Sequence, residues 1–228
     1  MNPAELDSES LEREGSGVSS KTSGPGSQKK ESGGAPVASA SGEPSALSFK
    51  GGEPGSPVGP LPPVPTSRRE LHLAPLDASA RGQAEGILRA TGVFREDEIL
   101  VGLEVLDSYL EHPEQDYTAL GAFTPGGELL GFSIHGPTPC TLGTWDLYWI
   151  AVSPEAQGLG VGTVLLKEVE GRLTRSNARL LVIETSSRPP YEPTRAFYLK
   201  KGYREVARVP DFYEAGDDRV IYAKNLTV

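Results

Sequence analysis

The chain has 228 residues, a formal net charge of −9 and one cysteine, Cys140. A single cysteine excludes an internal disulfide, and the acidic balance disfavours nucleic acid and anionic membranes as partners. His72, His112 and His135 are scattered, so no zinc-type spacing exists and no metal is expected.

Met1 to about Pro65 is built from Ser, Gly, Pro, Glu and Ala, with scarcely any aromatic residue. Such a segment cannot bury enough apolar surface to offset its chain entropy. Residues 1–68 are therefore expected to be a disordered tail. Within it Pro60–Pro65, PLPPVP, favours polyproline II, as a spacer or as a docking peptide for a proline-binding partner. Most of the net negative charge falls on residues 69–228, which suit one compact domain. The N-terminus has no apolar leader core and no stretch reaches membrane-spanning length, so a cytoplasmic location is expected.

Glu70 to Leu76 alternates and reads as a first strand. Asp77 can cap a helix that enters at Ala78 and falters near Gly92. Ile99, Leu100, Leu103, Leu106, Tyr109 and Leu110 recur at 3-and-4 spacing, a second helix over Arg95 to His112 stopped by Pro113. Tyr117–Phe123 and Leu129–Ile134, around Gly126-Gly127, read as a hairpin. Trp145–Val152 is an apolar strand broken by Asp146. Period-two alternation would put Asp146, Tyr148 and Ile150 on one face of it. Gly160–Leu173 is a third helix, Leu180–Glu184 a buried strand, and Thr194–Lys201 a short helix closed by Gly202. Two last strands lie near Tyr203–Val209 and Arg219–Lys224, linked by Asp211-Phe212-Tyr213 and Asp217-Asp218.

The segment Leu147–Val169 carries the most chemistry. It is a strand, a loop of small residues, then an amphipathic helix. Gly158, Gly160 and Gly162 leave bare N–H groups at the helix N-terminus, where phosphate binds well. No GKS or GKT lysine is present, so a P-loop is excluded. A Rossmann turn needs a third glycine where Leu165 stands, so that reading fails as well. What remains is Gln157-Gly158-Leu159-Gly160-Val161-Gly162, which fits Q/R-x-x-G-x-G/A. This resembles the acetyl-CoA pyrophosphate loop of the GNAT superfamily of N-acetyltransferases. Phe197-Tyr198-Leu199-Lys200-Lys201-Gly202-Tyr203 resembles the FYxxxGF/Y segment of the same family.

The resemblance covers about 155 residues and implies a single α/β domain. Its sheet would be mixed and mostly antiparallel, flanked by helices, in the order β-α-α-β-β-β-α-β-α-β-β. It implies acetyl-CoA as co-substrate. The pantetheine arm would pair with Ile150, Ala151 and Val152, and the pyrophosphate would sit on Gly158, Leu159, Gly160, Val161, Gly162 and Thr163. Tyr198 would be the general acid near the sulfur, its phenol roughly matched to an alkyl thiolate.

Two carboxylates compete for the base. Glu184 matches the base of the ribosomal-protein N-terminal acetyltransferases, and Asp146 matches a glutamate of the histone-acetyltransferase branch. Either could instead hold the substrate ammonium. The family's asparagine, about seven residues before the tyrosine, is replaced here by Tyr191, so the loop Ser186–Tyr191 has its own shape. Asp211-Phe212-Tyr213 and Asp217-Asp218 suit an ammonium group, or form a solvated acidic turn. Cys140 reads as a plain loop cysteine.

The resulting expectation is direct acetyl transfer to a small-molecule or peptide amine acceptor, with acidity leaning towards a cationic amine. The alternatives are a non-catalytic acyl-CoA sensor and an acyltransferase using a longer or an aminoacyl donor. An exposed sheet edge would permit a homodimer.

Overall fold

Asp77 opens the helical part of the fold: its carboxylate accepts from the Ser79 N–H at 2.8 Å and starts a 3-10 turn at Ala78–Ala80. The turn runs into α1, Arg81–Ala90, and α2 follows at Glu96–Glu111. The computed structural model describes residues 71–113 and 115–227. The tail expected over 1–68, with its polyproline segment, lies outside the described residues.

The strands are β1, His72–Pro75; β2, Thr118–Phe123; β3, Leu129–Pro137; β4, Thr144–Val152; β5, Leu180–Ser186; β6, Arg204–Glu214; and β7, Asp217–Asn225. Helices α3, Val161–Arg175, and α4, Glu192–Lys200, complete the order expected from the sequence. The seven strands form one sheet in the order β1-β2-β3-β4-β5-β7-β6. Every neighbouring pair is antiparallel except β4 and β5. A parallel pair needs a crossover, and α3 supplies it.

Each sheet face carries its own core. On one face Leu147, Ile150 and Val152 of β4 meet Leu165 and Val169 of α3 and Tyr198 of α4. On the other, Trp149 and Ala151 meet Ile99, Leu103 and Leu106 of α2. A Cβ at Gly102 would lie 3.0 Å from the Trp149 indole, so glycine lets α2 approach the sheet closely.

Three expectations are corrected. First, Asp146, Tyr148 and Ile150 do not share a face. On β3, Ile134 pairs with Trp149 and the next residue, His135, pairs with Leu147, which leaves Tyr148 as an extra residue. This β-bulge shifts the alternation by one. Asp146 and Tyr148 lie on the α2 face, and Ile150 lies on the α3 face. Second, Asp211–Tyr213 and Asp217-Asp218 are not a linking loop. They belong to β6 and β7, which extend until only Ala215-Gly216 remains as the turn. The pairing register shifts between Val209 and Glu214, so the end of β6 is irregular. Third, β3 runs three residues beyond Ile134, to Pro137, because β4 pairs with it that far.

His135 on β3 is 2% exposed and its Nδ1 has no hydrogen-bond partner. Burial, helped by the nearby positive charge of Arg172, pulls its pKa down from 6.5 to about 4. The unfolded chain therefore binds a proton that the folded chain does not, between about pH 6.5 and 4. Stability should fall with pH across that window by on the order of 3 kcal/mol, and His135→Gln should flatten the fall. Denaturant melts at pH 7.5, 5.5 and 4.0 on both proteins check this.

Candidate active site

Strands β4 and β5 pair from Thr144↔Leu180 to Leu147↔Ile183, and there the ladder stops. The stop coincides with the bulge at Tyr148, which increases local twist and turns the rest of β4 away. Trp149 to Val152 pair with β3 on one side, and Tyr148 to Val152 have no pairing with β5 on the other. A gap thus opens in the middle of the sheet, edged by Ile150, Ala151 and Val152.

The chain leaving β4 reaches α3 by a 3-10 turn, Pro154–Ala156, followed by Gly158 and Gly160 in left-handed backbone at φ +78° and +86°. Gly160 is the N-cap of α3, and no side chain caps it. The N–H groups of the first helical turn, at Val161, Gly162 and Thr163, therefore have no intrahelical acceptor. Leu159 differs from the rest of the loop: its N–H is directed back to the Ala156 carbonyl at 3.4 Å. The loop so placed can hold an anion at the end of the gap.

Tyr198 lies on the α3 face. It is fully buried, with Phe197, Tyr203 and Tyr222 at ring distances of 5.5, 5.8 and 6.0 Å, and its hydroxyl has no partner. Burial pushes its phenol well above the usual range, so it stays protonated. Gly202, at φ +84°, ends α4, and the Tyr203 N–H closes back on the Tyr198 carbonyl at 3.1 Å.

Both carboxylates lie on the opposite, α2 face. Asp146 accepts from Thr138 Oγ1 at 2.7 Å. Burial raises its pKa, against the Thr138 bond and the charge of Arg219. Tyr148 beside it packs edge-on against Tyr117 at 5.3 Å, and burial together with the Asp146 charge raises its phenol. Glu184 on β5 is paired with Arg219 of β7, and its Oε2 is buried without a partner. Arg219 stacks over Phe212 at 4.7 Å.

A buried polar network went unread in the sequence. Arg188, on the loop between β5 and α4, lies at ion-pair distance from Glu98 of α2, at 3.5 Å, and from Asp217 of β7, at 3.3 Å. Asp217 also accepts from Ser186 Oγ at 2.6 Å and from the Ser187 N–H at 3.0 Å. Tyr191, where the family has asparagine, is fully buried under the Arg188 guanidinium and donates to Glu98 at 3.3 Å. Arg195 clamps the same loop through the carbonyls of Ser186 and Arg188. The available signal was Glu98, a charge three residues into a helix whose carboxylate caps the Arg95 N–H at 2.6 Å. Its second role needs a partner 90 residues away. Cys140 is exposed, in left-handed backbone at φ +61°, between β3 and β4.

A parallel pair opened by a bulge, with a glycine-capped helix at the mouth of the gap, is the architecture of acyl-CoA-dependent acyltransferases of the GNAT type. Residues 117–205 match the family model of the acetyltransferase (GNAT) domain. The crystal structure of a GNAT-family protein from Desulfovibrio desulfuricans is 35% identical, with a TM-score of 0.66, over 69% of this chain and 99% of that one. An uncharacterised N-acetyltransferase of Methanocaldococcus jannaschii is 35% identical over 83 residues, 36% of this chain. That match spans about half, 52%, of the archaeal protein. An aminoglycoside 6'-N-acetyltransferase complexed with coenzyme A shares the fold at 19% identity and a TM-score of 0.55, over 69% of this chain and 98% of that one. The chain belongs to the GNAT acetyltransferase family.

Asp217 is 2% exposed and Arg188 is its cation, so Arg188→Met would leave a buried carboxylate unpaired, while Glu98 would keep Arg95 at 4.0 Å. Breaking such a pair costs about 3–5 kcal/mol, far more than a surface ion pair contributes. Urea denaturation of the variant should show a loss of that order.

Proposed function

We propose that this chain transfers an acetyl group from acetyl-CoA directly to an amine in a ternary complex, without an acyl-enzyme. The observation that carries this reading is the gap between β4 and β5. A bare helix N-terminus follows the free part of β4, the buried phenol of Tyr198 lies on one sheet face, and the two carboxylates lie on the other, which supports a reaction centred on the gap.

The free edge at Ile150, Ala151 and Val152 suits the two amides of a pantetheine arm. The N–H groups of Gly158, Gly160, Val161, Gly162 and Thr163 suit the pyrophosphate, and the missing side chains permit close approach. Leu159 contributes through its position, since its own N–H serves the turn.

Asp146 is the better base of the two carboxylates. Among the described residues it has no cation at ion-pair distance, and burial makes its carboxylate more basic. Glu184, held by Arg219, orients the acceptor. The ammonium gives a proton to Asp146, and the amine attacks the thioester carbon. The C–N bond forms and the C–S bond breaks; the departing thiolate takes the proton of Tyr198, and the second proton shed by the nitrogen as it becomes an amide restores the phenol. The exposed Cys140 has no part in this chemistry.

Tyr198→Phe separates catalysis from structure. It removes a buried hydroxyl that has no partner, so thermal stability should hold or rise. Turnover should drop about 100-fold or more, with acetyl-CoA still stabilising the protein. Unchanged turnover would remove Tyr198 from the mechanism. In the wild type, kcat/KM should fall with acid at a pH above the ordinary carboxylate range, because Asp146 must be ionised to act. Asp146→Asn should abolish that limb while Glu184→Gln leaves it in place, as a pH–rate series would record.

A further inference from the structure

The α2 face of the site is less acidic than its carboxylates suggest. Glu98 and Asp217 are matched by Arg188, and Glu184 by Arg219. Asp146 lacks a cation at ion-pair distance among the described residues. Most of the buried carboxylates of this face are therefore already paired.

The uncommitted groups are of both kinds. Glu184 Oε2 is a buried acceptor without a partner, and Asp146 has only the Thr138 hydroxyl. Arg219 Nε and the Tyr213 hydroxyl are donors without partners. Tyr213 lies within the electrostatic reach of Glu184, Arg219 and Asp217, so these groups form one patch. Arg219 is a guanidinium with five N–H donors, and its Nη2 is committed to Glu184 while its Nε is free. The guanidinium lies over the Phe212 ring at 4.7 Å, and its fork geometry suits a carboxylate. Buried polar groups in native proteins are nearly always satisfied, so a ligand that belongs here should bring both an acceptor and a donor.

We infer that the acceptor is a zwitterion, a free amino acid or a close analogue, whose ammonium lies between Asp146 and Glu184 and whose carboxylate is received by Arg219 and Tyr213. This rests on the acetyl-transfer reading for the identity of the face, and it adds the chemical class of the acceptor. Arg219 thereby sets specificity, with Glu184 holding the guanidinium in place. A peptide N-terminus, whose nearest carbonyl is a neutral amide, would leave the guanidinium short of its anion.

The test uses the full chain with acetyl-CoA and a panel of amino acids. Each is paired with its methyl ester and its decarboxylated amine, and CoA release is followed with a thiol reagent. The preferred amino acid should exceed its ester in kcat/KM by roughly 10- to 100-fold, the worth of a charged hydrogen-bonded contact. Arg219→Gln should bring the acid-to-ester ratio close to one. Arg219→Lys, which keeps the charge beside Glu184, should retain part of the preference, and Tyr213→Phe should reduce it severalfold without disturbing any ion pair.

Thermal shifts with CoA present give a second readout. If an amino acid stabilises the CoA complex in an Arg219-dependent way without turnover, the zwitterion site stands and the transfer reading falls. If esters, amines and peptides react as well as the acids, the transfer reading stands and this inference is overturned. An amino acid panel that neither binds nor reacts overturns it as well.

Discussion

The site depends on one ladder being left unfinished. Strands β4 and β5 are parallel and paired for four residues, and pairing stops beyond Leu147↔Ile183. Were it to continue, the edge of Ile150–Val152 would be consumed by β5, and the sheet would separate Tyr198 from Asp146 and Glu184. The bulge at Tyr148 prevents this by adding a residue to β4 against β3. It also shifts the alternation, so that Tyr148 stays on the α2 face beside Asp146 while Ile150 turns to the α3 face. A single inserted residue thus opens the gap and furnishes one of its walls.

Parallel pairing has a second consequence. The chain must cross over between β4 and β5, so the N-terminus of α3 is delivered at the end of β4 where the strands part. The sequence there is glycine-rich and lacks a capping side chain, so the helix offers its own N–H groups at the mouth of the gap. The exposed N–H groups at this place follow from topology and local sequence acting together.

The loop between β5 and α4 positions Tyr198, and buried charge holds that loop. Arg188 between Glu98 and Asp217 carries a desolvation cost that a purely apolar contact would avoid. In return it ties α2, β7 and the loop into one geometry, with Tyr191 filling the space beneath the guanidinium. The substitution of tyrosine for the family's asparagine is thereby accounted for. Its ring packs within the α2 core, and its hydroxyl finds Glu98.

Much of this was legible in the chain itself. Helix and strand order followed from periodicity, from Asp77 as a cap, from Pro113 as a stop and from Gly202 as a C-terminal glycine, because these signals act within a few residues. The loop Gln157–Gly162 and the segment Phe197–Tyr203 were likewise local, and they carried the family. Three features were decided only by the tertiary structure. The face occupied by Ile150 depends on a bulge, and a bulge is defined by the partner strand. The extent of β6 and β7 depends on their pairing with each other. The state of Glu184 depends on Arg219, 35 residues away and on another strand. Spacing along the chain reports what one element does alone. The faces and partners of these residues arise from contacts between elements, which appear only when the sheet assembles.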